Sequence, residues 1–213
     1  MLPLRDSQAE AVGPDAGRRD KNRLRTRGQL NSAAIYLFAE RGYDNTSVED
    51  VAEAAGISVR TLFRYFTSKE DIVFARTFDL DGFLSGLLSE PADLPSMTAI
   101  RNAYLRQLPF NDAERELTLK FFQAMSTTAA LQGRYLGFQN EFRQQLANTL
   151  AKRARRRKAT EADILTANVA ETVLHRANDR WLASQGRANV RTLVESAFQV
   201  FDEIVGESAI TTH

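Results

Sequence analysis

The residues best suited to chemistry lie between Gly56 and Val73, in the stretch GISVRTLFRYFTSKEDIV. Within nine positions Ser58, Thr61 and Tyr65 offer hydroxyls, Arg60 and Arg64 offer guanidiniums, and Val59, Leu62, Phe63 and Phe66 offer apolar groups. This is recognition chemistry. Arginine forks onto O6 and N7 of guanine, and valine and threonine methyls meet the methyl of thymine. Tyrosine hydroxyls and lysines bond phosphate oxygens. On a helix, Leu62 and Phe66 share one face and, with Ile57, can pack inward. Val59, Arg60, Thr61, Phe63, Arg64 and Tyr65 are then left outside. A surface helix with long side chains lying flat is the plain reading of such a face; a DNA groove explains its mixture of arginine, hydroxyl and apolar groups better.

Other chemistries lack their residues. There is no cysteine, so no disulfide or thiolate metal site, and the two histidines, His175 and His213, cannot build a histidine-rich centre. No nucleophile–base pair, glycine-rich phosphate loop or metal-ligand cluster is apparent, so the expectation is a protein that is not an enzyme and needs no cofactor or metal. Arginines number 23 against 5 lysines, yet the net charge is only +1. That balance argues against a nonspecific architectural DNA binder, which relies on strong basic excess. The first twenty residues lack the continuous apolar core of a signal peptide, and no stretch reaches the roughly 18 apolar residues of a membrane span. A cytoplasmic location without a membrane partner is expected.

The elements that must position these residues are helical. The length of 213 residues fits one large domain or a small one plus a medium one. From about Asp20, Leu30, Ala33, Ala34, Leu37 and Phe38 form one apolar stripe, and Gly42 stops it. Thr46 precedes an acidic first turn in which Ser47 and Asp50 make a capping-box-like pair. Val48, Val51, Ala52 and Ala55 follow, and Gly56 ends that helix. Ser58 caps a third helix, and Ser68 with Asp71 opens a fourth, expected over about 68–89. After a break at Pro91–Pro95, helices are expected at about 96–108, 112–130, 133–157, 160–185 and 189–206, with Pro109, Gly133 and Gly186 as interruptions. No segment alternates with period 2, so no strands are expected and the fold class is all-α.

At this point a family pattern is legible. Residues 24–73 resemble the DNA-binding domain of the TetR family of one-component transcriptional regulators. The resemblance rests on the ordered set of the first stripe, Gly42-Tyr43, Thr46, Val51-Ala52, Ala55-Gly56, Leu62, Tyr65-Phe66 and Ser68-Lys69-Glu70. It implies a three-helix N-terminal helix-turn-helix domain over 20–67, between a tail at 1–19 and a larger helical effector-binding and dimerisation domain over 68–206, with a C-terminal tail at 207–213. It implies that Thr46 meets a phosphate, that Val59, Arg60 and Thr61, just after Ser58, read base edges, and that Tyr65 and Lys69 clamp phosphates. Position 63, commonly tyrosine in the family, is Phe63 here, which removes a phosphate-bonding hydroxyl and leaves a ring to press on a sugar or thymine methyl.

The resemblance further implies a homodimer through the last two helices. Trp181-Leu182 and the stripe Val190, Leu193, Val194, Ala197, Phe198, Phe201, Ile204 and Val205 suit a helix–helix seam. A two-fold dimer implies a pseudo-palindromic double-stranded DNA operator. The family pattern is a repressor released by a small-molecule effector, here expected to be largely apolar. Phe83, Tyr104, Phe121, Phe122, Met125, Tyr135, Phe138 and Phe142 are individually ordinary core residues and collectively a candidate cavity lining. Glu171 and His175 share a polar helix face with Asn168, Asn178 and Asp179, read either as a partly solvated or interface face or as polar lining of the cavity. The basic segment 18–27, with six bases against one acid, is either a DNA-contacting arm or a solvated helix start. The run 152–158 is either a solvated helix end, favoured by the macrodipole, or a site for an anionic group. The rival function is a small-molecule carrier or enzyme using the C-terminal region alone.

Overall fold

The computed structural model describes residues 14–74, 80–108, 112–125 and 128–210. They form ten helices and, among the described residues, no strand: α1 Pro14–Arg41, α2 Val48–Ala54, α3 Val59–Phe63, α4 Lys69–Phe74, α5 Leu80–Leu88, α6 Ser96–Gln107, α7 Asp112–Met125, α8 Ala129–Arg153, α9 Glu161–Ala183 and α10 Val190–Ile210. The expected all-α class is met. No helix among the described residues is long and apolar enough to cross a membrane.

Local chemistry sets most boundaries. The α1 stripe of Leu30, Ala34, Leu37 and Phe38 is buried, and α1 ends where Gly42 takes φ +84°. The Gly42 amide there donates to the Phe38 carbonyl at 3.1 Å. The helix begins at Pro14, a residue suited to a first turn, so residues 14–19 are helical and not part of a tail. Residues 1–13 and 211–213 lie outside the described residues, as does Pro109. Ser47 and Asp50 complete a reciprocal capping box at α2, and Thr160 and Asp163 do the same at α9. Gly133 does not interrupt α8. Thr128 accepts from the Ala130 amide and starts the helix five residues before the glycine, and one interior glycine costs only about 1 kcal/mol. The single helix expected over 68–89 is described as α4 and α5, and residues 75–79 between them lie outside the described residues.

Two cores result. One joins α1 to α4 with Phe121, Ala124 and Met125 of α7 and Leu131 of α8. The other joins α5, α6, the C-terminal half of α8, α9 and the first half of α10. Leu62 and Phe66 are buried in the first, as their spacing requires. Fully burying side chains of this size contributes about 1.5–3 kcal/mol each. In the second, Trp181, Leu193, Val194 and Phe198 are buried within the subunit. That part of the expected intersubunit seam is therefore the internal packing of α10 on α9.

Candidate nucleic-acid interface and ligand cavity

α2 and α3 are joined by a tight turn whose geometry fixes their angle. Gly56 holds φ +67°, its amide donates to Glu53 O at 2.9 Å, and the Ile57 amide donates to Ala52 O at 2.9 Å. This paired closure satisfies the last carbonyls of α2 and needs a left-handed residue at position 56. Ser58 then caps α3, accepting from the Thr61 amide at 3.2 Å, and its hydroxyl meets that of Thr61 at 2.9 Å. Ser58, Arg60, Phe63 and Arg64 are exposed, and Phe63 keeps 53% of its surface in solvent. A ring left in water beside two arginines is costly for a surface with no partner. Val59 and Tyr65, expected outside, are instead half-buried against the first core. Val59 is four residues before Phe63, but α3 is so short that its first turn still packs against α2 and the first core.

Around α3 the basic end of α1 converges. Arg27 stacks over the Phe66 ring at 5.1 Å, and Arg23 and Arg25 are exposed. Arg64 lies over Tyr65 at 5.3 Å and bonds its hydroxyl at 3.4 Å. This Arg64 bond, with help from Thr26 and Arg23, holds the Tyr65 phenol below its ordinary value despite some desolvation. Tyr65 thus sits in positive potential, where a phosphate would be welcome.

Two residues expected to touch phosphates are engaged inside the protein. Thr46 is buried, and its hydroxyl donates to Gly42 O at 2.9 Å. The Lys69 ammonium donates to the carbonyls of Tyr43 at 2.7 Å and Thr46 at 2.9 Å. It also lies 3.7 Å from the centre of the Tyr43 ring. The Tyr43 hydroxyl in turn donates to Glu70. Lys69 therefore fastens the start of α4 to the loop that launches α2. Asn31 of α1 adds a second fastening, donating to Ile72 O at 2.8 Å and Val73 O at 2.6 Å. Neither is evident from spacing alone.

The second functional feature is a cavity of about 110 Å3 between α6, α7, α8 and α9. Of the residues named as candidate pocket lining, Tyr104, Phe121, Phe122, Phe138, Phe142, Glu171 and His175 border this cavity. Tyr135, Thr118, Gln139, Leu174 and Asn178 complete the lining. Phe83 and Met125, also expected there, do not line it. Phe83 is fully buried behind Phe142, rings 5.7 Å apart, and Met125 belongs to the first core. Thr118, Gln139 and Leu174 were missed, though Thr118 falls on the same α7 face as Phe121 and Phe122, Gln139 on the same α8 face as Tyr135, Phe138 and Phe142, and Leu174 between Glu171 and Asn178 at helical spacing. Tyr104 donates toward Asn178 at 3.4 Å, and Gln139 donates to Glu171 at 3.0 Å. A wider open depression runs along α1 and the end of α2, lined by Arg25, Gly28, Gln29, Ser32, Ala33, Tyr36, Ala54 and Ala55.

The cavity and the N-terminal helical head, α1 to α4, share side chains. Phe121 lines the cavity yet is buried in the first core. Phe74, the last residue of α4, meets Phe121 edge-on at 5.5 Å and Phe138 at 6.2 Å. Arg134 of α8 lies over Phe74 at 5.5 Å and reaches Asp71 of α4 at 3.4 Å.

The run 152–158 resolves into fastenings and free charge. Arg156 pairs with Asp163, and Arg153 donates to Leu94 O at 2.9 Å. Lys152, Arg155, Arg157 and Lys158 are exposed. Among the described residues no group of three acids or histidines is placed to hold a metal.

Comparison with known proteins gives the same picture. Residues 30–75 match the family model described as bacterial regulatory proteins, tetR family, and residues 94–205 match that of the MftR C-terminal domain. The chain is 33% identical over 144 residues to the HTH-type transcriptional regulator TcmR of Streptomyces glaucescens, a match spanning 64% of each chain, just under two thirds. It is 29% identical over 191 residues to MftR of Mycobacterium tuberculosis, described as a mycofactocin biosynthesis transcriptional regulator, covering 88% of this chain and 94% of that one. Among solved structures, a TetR-family regulator from Mesorhizobium loti superposes with a TM-score of 0.54 at 20% identity, over 85% of this chain and 97% of the other. That likeness speaks for the fold alone.

Proposed function

Since this chain belongs to the TetR family of DNA-binding transcriptional regulators, whose members are not enzymes, we propose that it is a homodimeric repressor released from a pseudo-palindromic operator by a small molecule entering the aromatic cavity. The observation that carries the reading is the aromatic cluster common to cavity and head. Phe121 lines the cavity while packing in the core that holds α3, and Phe74 joins it from α4. At about 110 Å3 the cavity is smaller than the ~300 Å3 at which ligand pockets begin, so an effector must displace a ring. Displacement on the α7 side perturbs the seat of α4 and, through Asn31, its hold on α1 and, through Lys69, the placement of α2 and with it α3. Release then needs only that the effector bind the displaced state better.

Arg60 is the base-reading candidate, with Ser58, Phe63 and Arg64 beside it, and the Arg23–Arg27 end of α1 flanks the site. For dimerisation, Ile164, Leu165 and Val169 of α9 and Val200, Ile204 and Val205 of α10 are large apolar residues left in solvent, Leu165 at 55% and Ile204 at 59%. Such residues on two adjacent packed helices form an unsatisfied patch that a second copy would cover by two-fold symmetry. The names of TcmR and MftR carry regulation of transcription, which supports the same reading here.

The test is retention of genomic fragments by the purified chain at physiological salt. Enrichment of inverted repeats is expected, and the double variant Leu165→Glu/Ile204→Glu should sediment as a monomer and lose that enrichment. Indiscriminate retention that collapses as salt rises would instead favour the carrier reading.

A further inference from the structure

The cavity wall carries a charge preference as well as an apolar one. Six rings surround it: Tyr104, Phe121, Phe122, Tyr135, Phe138 and Phe142. Aromatic faces present negative quadrupole to whatever lies between them. Among the described residues lining it, Glu171 is the one carboxylate, and no lysine or arginine takes part. The Glu171 side chain is only 16% exposed. One of its oxygens accepts from Gln139 at 3.0 Å. The other has Arg143 at 3.7 Å, a loose pairing from outside the lining. Behind His175 stands Asp179, its oxygen 3.6 Å from Nε2. Arg176 answers Asp179 at 3.2 Å from the solvent side, with 69% of its own side chain exposed. From α6 and α7 the facing polar groups, Tyr104 and Thr118, are uncharged. The field inside is accordingly negative: burial, then Glu171 and Asp179, push the Tyr135 phenol up to about 12. An anionic ligand would find no lysine or arginine among the lining residues, only His175 and neutral hydroxyl and amide donors.

We propose that the cavity takes a flat aromatic cation, a protonated or quaternised nitrogen heteroaromatic, with its rings between the aromatic walls and its charge beside Glu171. This rests on the reading of the cavity as the effector site. A cation between π faces and against a desolvated carboxylate gains where its uncharged isostere does not.

Three matched fluorescent probes separate the possibilities: N-methylacridinium, acridine at mildly alkaline pH where it is uncharged, and an acridine carboxylate. Each is titrated into the full chain, and retained genomic fragments are assayed with each probe at saturation. The cation should bind about tenfold or more tighter than acridine, the carboxylate weakest of the three, and Glu171→Gln should collapse the cation-to-neutral ratio. Equal or tighter binding of acridine, tightest binding of the carboxylate, or no binding by any probe overturns the proposal, and the wild-type comparison stands even if the variant folds poorly. If the cation binds with the expected preference but leaves DNA retention unchanged, the charge preference holds and the effector reading fails. If acridine alone releases DNA, the effector reading holds and the charge preference fails.

Discussion

Replacing Lys69 with methionine keeps the aliphatic stem and removes only the ammonium. In the folded protein that group donates to two backbone carbonyls, Tyr43 at 2.7 Å and Thr46 at 2.9 Å, and rests on the Tyr43 ring at 3.7 Å. Hydrogen bonds from a charged donor contribute about 1.5–3 kcal/mol each, and a half-buried cation–π contact adds about 0.5–1 kcal/mol. Asp44, Asn45 and Ser47 are exposed, so water reaches this loop and recovers part of the loss. The expected net cost is about 2–3 kcal/mol, or a fall in Tm of about 5–10 °C for a chain of this size. Urea unfolding at fixed protein concentration measures it, because dimer association makes the midpoint concentration-dependent. Operator affinity should fall with little change in salt slope, since the lost charge is already answered inside the protein. Unchanged stability, together with a salt slope flattened by about one unit per half-site, would refute this: it would mean that Lys69 abandons the carbonyls and clamps phosphate directly.

Other expectations follow from single groups. Arg60→Ala should cost about 1–3 kcal/mol of operator affinity and relax preference at one base step per half-site, read by binding to a set of single-base operator variants. Gly56→Ala should destabilise by about 1–2 kcal/mol, since φ is +67° while the space around a new Cβ is open; an unchanged urea midpoint would remove the strain argument. Acid should weaken the α8–α9 corner: the Arg156 guanidinium, against the opposing effect of burial and with the Thr160 bonds, holds the Asp163 carboxyl well below the usual range. A carboxyl depressed by folding contributes fully above its unfolded pKa of about 3.9 and loses that contribution progressively as pH falls from there through its lower folded pKa. Wild type should therefore lose more stability than Asp163→Asn between about pH 5 and pH 2, and parallel acid curves would contradict the pairing.

What could be read from the sequence was set by local rules. Ser47 with Asp50, Ser58, and Ser68 with Asp71 announced three helix starts because capping is decided within four residues. Leu62 and Phe66 announced the inner face of α3 by spacing. The cavity aromatics were legible as a group, but which of them face the hollow was not: Phe83 and Phe142 differ only in which side of one stacked pair they occupy. For Thr46 and Lys69 the family resemblance implies phosphate contacts, whereas their partners here are main-chain carbonyls, which no residue pattern announces. The α10 stripe was assigned to a partner subunit, yet Leu193, Val194 and Phe198 face α9 of the same chain. A hydrophobic stripe says that something covers it, never what.

Phe121 answers to two neighbourhoods at once, and that has a consequence for how such a protein can be retuned. On the proposed effector reading, a substitution there alters what the hollow accepts and how firmly the head is seated, so neither property can be adjusted alone. Gln139 and Phe142 of α8 and Leu174, His175 and Asn178 of α9 lie across from it and outside the first core. Ligand preference is free to drift through those positions over generations, and a library built to convert the protein into a sensor for a new compound should randomise them while leaving Phe121 and Phe74 untouched.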